Sequence, residues 1–93
     1  MIHFADSKAK AFWESDGRAS RHYQGYADVL MRKLRMLDAA KELRDLRIPP
    51  GNKLEALDGK RKGQYSIRIN KQFRICFEWT VEGARNVEVV DYR

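Results

Sequence analysis

The apolar residues of this chain change their spacing at Pro49-Pro50-Gly51-Asn52. Ahead of that tetrapeptide, Tyr23, Ala27, Leu30, Leu34 and Leu37 recur at steps of three and four, with Tyr26 and Met31 widening the stripe. That is the period of one helix face. Behind it, Tyr65, Ile67 and Ile69 alternate with Ser66, Arg68 and Asn70, and Phe73, Ile75, Phe77 and Trp79 alternate with Arg74, Cys76 and Glu78. A step of two belongs to strands with one buried face. The two prolines lack backbone donors, so the junction is a turn or an extended surface loop. Helices come first, then sheet.

The remaining punctuation fills in the order. Met1 to Phe4 is apolar enough for an edge strand. Asp6 or Ser7 caps a first helix from Lys8 to about Ser15, with Ala9, Ala11 and Phe12 facing inward, and Asp16-Gly17 ends it. Ser20 is placed to cap the second helix, with Arg32, Lys33 and Arg35 on its polar face, and Asp38-Ala39-Ala40 begins a short last helical segment through Leu43 or Leu46. Asn70-Lys71 and Val81-Glu82-Gly83 connect a three-stranded meander that closes with Asn86 to Tyr92. The predicted fold is α+β: an N-terminal strand and two to three helices on one face of a twisted, mainly antiparallel sheet. At 93 residues there is room for one core, hence one domain spanning 1–93. The Phe73/Ile75/Phe77/Trp79 row packs on the leucine stripe, leaving Arg68, Arg74, Glu78 and Tyr92 on an opposite face that is exposed or bound to something.

Charge is distributed unevenly. Residues 53–74 hold Lys53, Lys60, Arg61, Lys62, Arg68, Lys71 and Arg74 against Glu55 and Asp58, a net of +5 within a chain of net +6. A basic strip on a loop and two neighbouring strands is a footprint for phosphates. Other classes drop out. No apolar run exceeds three residues, which predicts neither a membrane span nor a signal-peptide core. The single Cys76 excludes an internal disulfide and fits a cytoplasmic location, as an ordinary packed strand residue. His3 and His22 have no Cys or paired carboxylate beside them, so no metal and no cofactor is expected. Neither a glycine-rich phosphate loop nor a nucleophile elbow is present. A metal-free ribonuclease remains compatible, because it needs only a base for the ribose 2′-OH, a cation for the phosphate and an acid for the leaving 5′-oxygen. Arg74 supplies the cation; Glu55 and Tyr92 are the candidates for proton transfer.

Ordered segments along the chain carry a family resemblance. Leu37-Asp-Ala-Ala40, Leu43-Arg-Asp-Leu-Arg47, Pro49-Pro-Gly-Asn52, Leu54-Glu-Ala-Leu57, Gly59, Gly63, Tyr65-Ser-Ile-Arg-Ile-Asn70, Gln72-Phe-Arg-Ile-Cys-Phe77 and Val90-Asp-Tyr92 resemble the HigB family of toxins, within the RelE/ParE superfamily of type II toxin–antitoxin systems. The GraT-like branch reads most like this chain. The resemblance implies a RelE-like fold and a ribosome-dependent mRNA endonuclease, or mRNA interferase, that inhibits translation by cutting mRNA in the A site of the 70S ribosome. It also implies a HigA-like helix-turn-helix antitoxin as partner, with operator DNA contacted only through that antitoxin. The family's phosphate-binding Arg falls on Arg74 and its near-terminal Tyr on Tyr92, while Arg93 stands where members usually carry His. Members reading Leu-His-Pro-Leu-Lys-Gly correspond to Leu54-Glu-Ala-Leu-Asp-Gly59, so Glu55 replaces a His and Asp58 a Lys. Arg93 stays protonated at neutral pH, which suits a second phosphate clamp better than a base. An attenuated enzyme is the expectation, with Lys53, Lys60, Arg61, Lys62, Arg68 and Lys71 as RNA and ribosome contacts. The alternatives are a ParE-like toxin directed at gyrase, and a catalytically weak or inactive ribosome- or RNA-binding regulatory subunit.

Overall fold

A computed structural model of the chain describes residues 2–92. Two helices, α1 (Ser7–Glu14) and α2 (Ala27–Ala39), pack against a four-stranded antiparallel sheet in the order β1 (Glu55–Ala56), β2 (Tyr65–Arg68), β3 (Phe73–Thr80) and β4 (Gly83–Asp91). The predicted α+β architecture is what forms. Asp6 caps α1 by accepting from the Lys8 and Ala9 amides, and Gly17 closes it at φ 88°, a conformation open to glycine at little cost. Ala9 and Phe12 are buried as expected, whereas Ala11 is exposed, because the inward stripe of so short a helix is one residue wide.

Five features differ from expectation. The N-terminal strand shrinks to one parallel bridge between Phe4 and Val87, since Asp6 already begins the helix; Met1 lies outside the described residues. The second helix starts at Ala27 and not after Ser20, because Gly25 leaves helical space at φ 91°. Tyr23 and Tyr26 still reach the core from the turn: Tyr23 meets Phe12 edge-to-face at 5.1 Å and Tyr26 stacks on Phe73 at 4.6 Å. Asp38 and Ala39 belong to the end of α2, and the third helical piece is a separate 3-10 turn at Leu43–Arg47. A fourth strand, Glu55–Ala56, pairs with β2, and β4 begins three residues early. The reason for the last is a bulge: Cys76 pairs Glu88 while Glu78 pairs Arg85, so Ala84 and Val87, three residues apart, both face the core. Asn86 absorbs the extra residue at φ 51°.

The core lies between the helices and the inner sheet face. Phe12, Leu30, Leu34, Leu37, Leu46, Ile67, Ile75, Phe77 and Val87 have almost no solvent exposure. The Phe73–Trp79 row meets the leucine stripe as the alternation implied. Among the described residues no helix is long and apolar enough to cross a membrane.

Burial leaves a signature in titration. It pushes the Tyr23 phenol from 10.0 up to about 12, with the Asp6 carboxylate adding to the effect, and it raises the Cys76 thiol above its ordinary 9.0. Both groups hold their protons more tightly folded than unfolded. Their contribution is therefore complete below the unfolded values and is lost as pH climbs from about 9 towards 12. The urea midpoint is expected to hold steady from pH 7 to 8.5 and then fall continuously to pH 11. The fall should be shallower in Tyr23→Phe, which removes one of these titrations and leaves the opposing buried Lys33 in place; an equal fall there would contradict it.

Candidate functional site

The site is built on the sheet face turned away from the helices. Arg74 sits on β3, between Arg68 of β2 and Val90 of β4. The exposed Arg74 expected from the alternation is corrected: it is 8% exposed, because the turn before β1 and Tyr92 close over it. Its Nε donates to Ser66 Oγ at 2.8 Å and its Nη2 to the Lys53 carbonyl at 2.6 Å. Lys53 aims that carbonyl by adopting left-handed backbone angles, φ 46° and ψ 55°. The Arg74 Nη1 lies 4.0 Å from a Glu55 carboxylate oxygen, too far for a hydrogen bond, and Cζ stands 5.8 Å from the centre of the Tyr92 ring. Two sides of the guanidinium are thus held by protein, and Nη1 is the side turned to Glu55.

Around it lies an open cleft of about 300 Å³ lined by Lys53, Arg68, Asn70, Lys71, Arg74 and Tyr92. Four of those six carry positive charge. Arg68 and Arg74 are directly opposed across the β2–β3 pair, which costs stability between like charges unless a counterion serves both. Arg68 Nε is turned to the Asn70 carbonyl at 3.1 Å, and Asn70 Oδ1 accepts from the Gln72 and Phe73 amides at 2.8 Å, tightening the β2–β3 turn. A larger hollow of about 780 Å³ beside Ile2, Phe4 and Trp13 mixes Lys10 with Glu14 and Asp38, and lacks this one-sided charge.

Of the sequence-derived candidates, Lys53, Arg68, Lys71, Arg74 and Tyr92 converge on one cleft, with Glu55 at its side. Lys60, on a 3-10 turn at Gly59–Arg61, and Lys62, just after it, are exposed and do not line it. Arg61 is corrected as a free cation: it bonds Glu88 at 2.7 Å and Gln64 at 3.0 Å. The Glu88 carboxylate strengthens its hold on its proton. Arg93 lies outside the described residues. Cys76 is buried on this face, and its raised pKa keeps it a neutral thiol. Ser66 and Asn70 carry no signal of their own in the sequence, although both stand in the polar set that alternates with Tyr65, Ile67 and Ile69. Two further residues expected at the surface, Lys33 and Asn52, are buried. Among the described residues no three His, Cys, Asp or Glu side chains group as metal ligands.

The arrangement can bind a phosphodiester between Arg68 and Arg74, with a carboxylate and a phenol on either side. Comparison with known proteins identifies the family. Residues 2–93 match the family described as RelE-like toxin of type II toxin–antitoxin system HigB. Toxin HigB-1 of Vibrio cholerae serotype O1 is 46% identical over 78 residues, covering 84% of this chain and 82% of that protein. An uncharacterized protein of Haemophilus influenzae is 36% identical over 85 residues, covering 91% and 84% respectively.

Proposed function

Since this chain belongs to the HigB-like family of RelE-like toxins and is the toxin of a type II toxin–antitoxin system, with an antitoxin for partner, we propose that it acts as an endoribonuclease on ribosome-bound mRNA. The observation that carries this reading is the pair of opposed arginines, Arg68 and Arg74, at a cleft flanked by Glu55 and Tyr92. Two arginines opposed on neighbouring strands and lining one cleft favour a phosphate, which matches their planar donors.

In the proposed step the RNA 2′-oxygen attacks phosphorus, forming a 2′,3′-cyclic phosphate and breaking the bond to the 5′-oxygen. The Glu55 carboxylate takes the 2′-OH proton and the Tyr92 phenol gives its proton to the leaving 5′-oxygen. Arg74 Nη1 binds the phosphoryl oxygens as their charge grows. Lys53, Arg68 and Lys71 hold neighbouring phosphates, and Lys60 and Lys62 reach ribosomal RNA. Arg93 is assigned to phosphate binding and Arg61 to shaping the face. The antitoxin is proposed to be a HigA-like helix-turn-helix protein and the site of action cytoplasmic. Binding mRNA in the ribosome supplies the orientation that a site without histidine does not.

Purified protein added to a translation extract is expected to produce primer-extension stops inside translated codons, leaving cyclic phosphate ends. Intact mRNA at toxin levels equal to ribosomes overturns the reading. DNA damage on induction with translation spared points instead to a gyrase-directed toxin.

A further inference from the structure

Lys33 projects from α2 towards the interior, although Arg32 and Arg35 on either side are exposed. It is 7% exposed, and its Nζ donates to Oδ1 of the fully buried Asn52. Asn52 Nδ2 donates in turn to the Leu46 carbonyl at 3.1 Å, with Ile48 O at 3.5 Å and Met36 Sδ at 3.8 Å. One amide therefore joins α2, the Leu43–Arg47 turn and the Pro50–Asn52 turn. Burying an ammonium against a neutral amide costs free energy, and an apolar pair of similar volume is commonly as stable or more so. Burial, with Arg32 adding, lowers the Lys33 pKa accordingly.

The residue after Asn52 is Lys53, whose left-handed backbone turns its carbonyl onto Arg74 Nη2. The path from helix to guanidinium is continuous: Lys33 to Asn52, one peptide to Lys53, one hydrogen bond to Arg74. We propose that Lys33 and Asn52 are positioning residues of the cleft, locking the Pro50–Lys53 turn so that the Lys53 carbonyl aims the Arg74 guanidinium at bound phosphate. The inference rests on the RNA-cleaving reading for its consequence and on geometry alone for the relay itself.

Lys33→Met keeps the stem volume and removes the donor. On ribosomes carrying a defined mRNA, kcat is expected to fall about tenfold with KM within about twofold, because the guanidinium is misdirected and not lost. The melting temperature should fall modestly, because the buried Asn52 Oδ1 loses its donor, and activity is therefore compared well below it. In an Arg74→Lys background the same change should add nothing, whereas a merely structural role lowers both backgrounds by one factor. A ¹⁵N spectrum gives a readout independent of cleavage: the Arg74 Nε–H signal should shift and exchange faster in Lys33→Met. Asn52→Asp, which keeps the acceptor for Lys33 but loses the donor to Leu46, serves if the first variant does not fold, and should move the same signal. An unmoved Arg74 signal in the folded variant overturns the relay. A signal moved by Lys33→Met, in a protein whose wild type cuts no mRNA, leaves the relay standing and removes the nuclease.

Discussion

Arg74→Ala is expected to reduce ribosome-dependent mRNA cleavage to background, and Arg74→Lys to lower it by about 10²–10³-fold. The lysine variant is the informative one. It keeps the charge and discards the planar fork that lets Nε hold Ser66 and Nη2 hold Lys53 while Nη1 is turned to Glu55. Primer extension on one defined mRNA measures both variants. Burial also makes Arg74 costly to remove from the fold, by about 1–3 kcal/mol, because the Ser66 hydroxyl and Lys53 carbonyl lose a donor in a confined space. Urea unfolding separates that loss from the catalytic one. Arg74→Lys activity within tenfold of wild type would mean that charge alone suffices and that the geometry of the fork is incidental.

Phe77→Ala is expected to produce the largest loss of stability, about 3–5 kcal/mol, for deleting a large side chain at the centre of the core. Phe77 has no solvent exposure and lies on the central strand facing the leucine stripe of α2. Domains of this size are held by about 5–15 kcal/mol, so a large share of the total disappears. At about 4–8 °C per kcal/mol, the melting temperature should drop by roughly 12–40 °C in a calorimetric scan. A drop under 5 °C would require the core to collapse into the space, which its packing against both helix and strand opposes.

How far the sequence foretold this molecule depends on the kind of signal. The strand alternation from Tyr65 to Trp79 was legible because one buried face forces a period of two, and it correctly put Arg74 opposite the core. The stripe Leu30–Leu34–Leu37 was legible for the same reason at helical spacing. The two-residue strand Glu55–Ala56 was not, since two residues have no periodicity. The early start of β4 was hidden by the bulge at Asn86, which breaks the alternation it would have been read from. Burial of Arg74, Lys33 and Asn52 was invisible because it depends on a loop folding back over a polar face. Charge count alone grouped Arg61 with Lys60 and Lys62; only the fold brings Glu88 of β4 within reach of it.

On β3 the residues Phe73, Ile75 and Phe77 serve the core while Arg74 and Cys76 serve the outer face. Interior and site are thus two readings of one strand, separated by a single step of register. A slip of one residue would send the guanidinium into the hydrophobic layer and the phenylalanines into the cleft. Half-formed versions of this protein therefore lack the proposed site altogether, and its activity arrives with the native pairing or not at all.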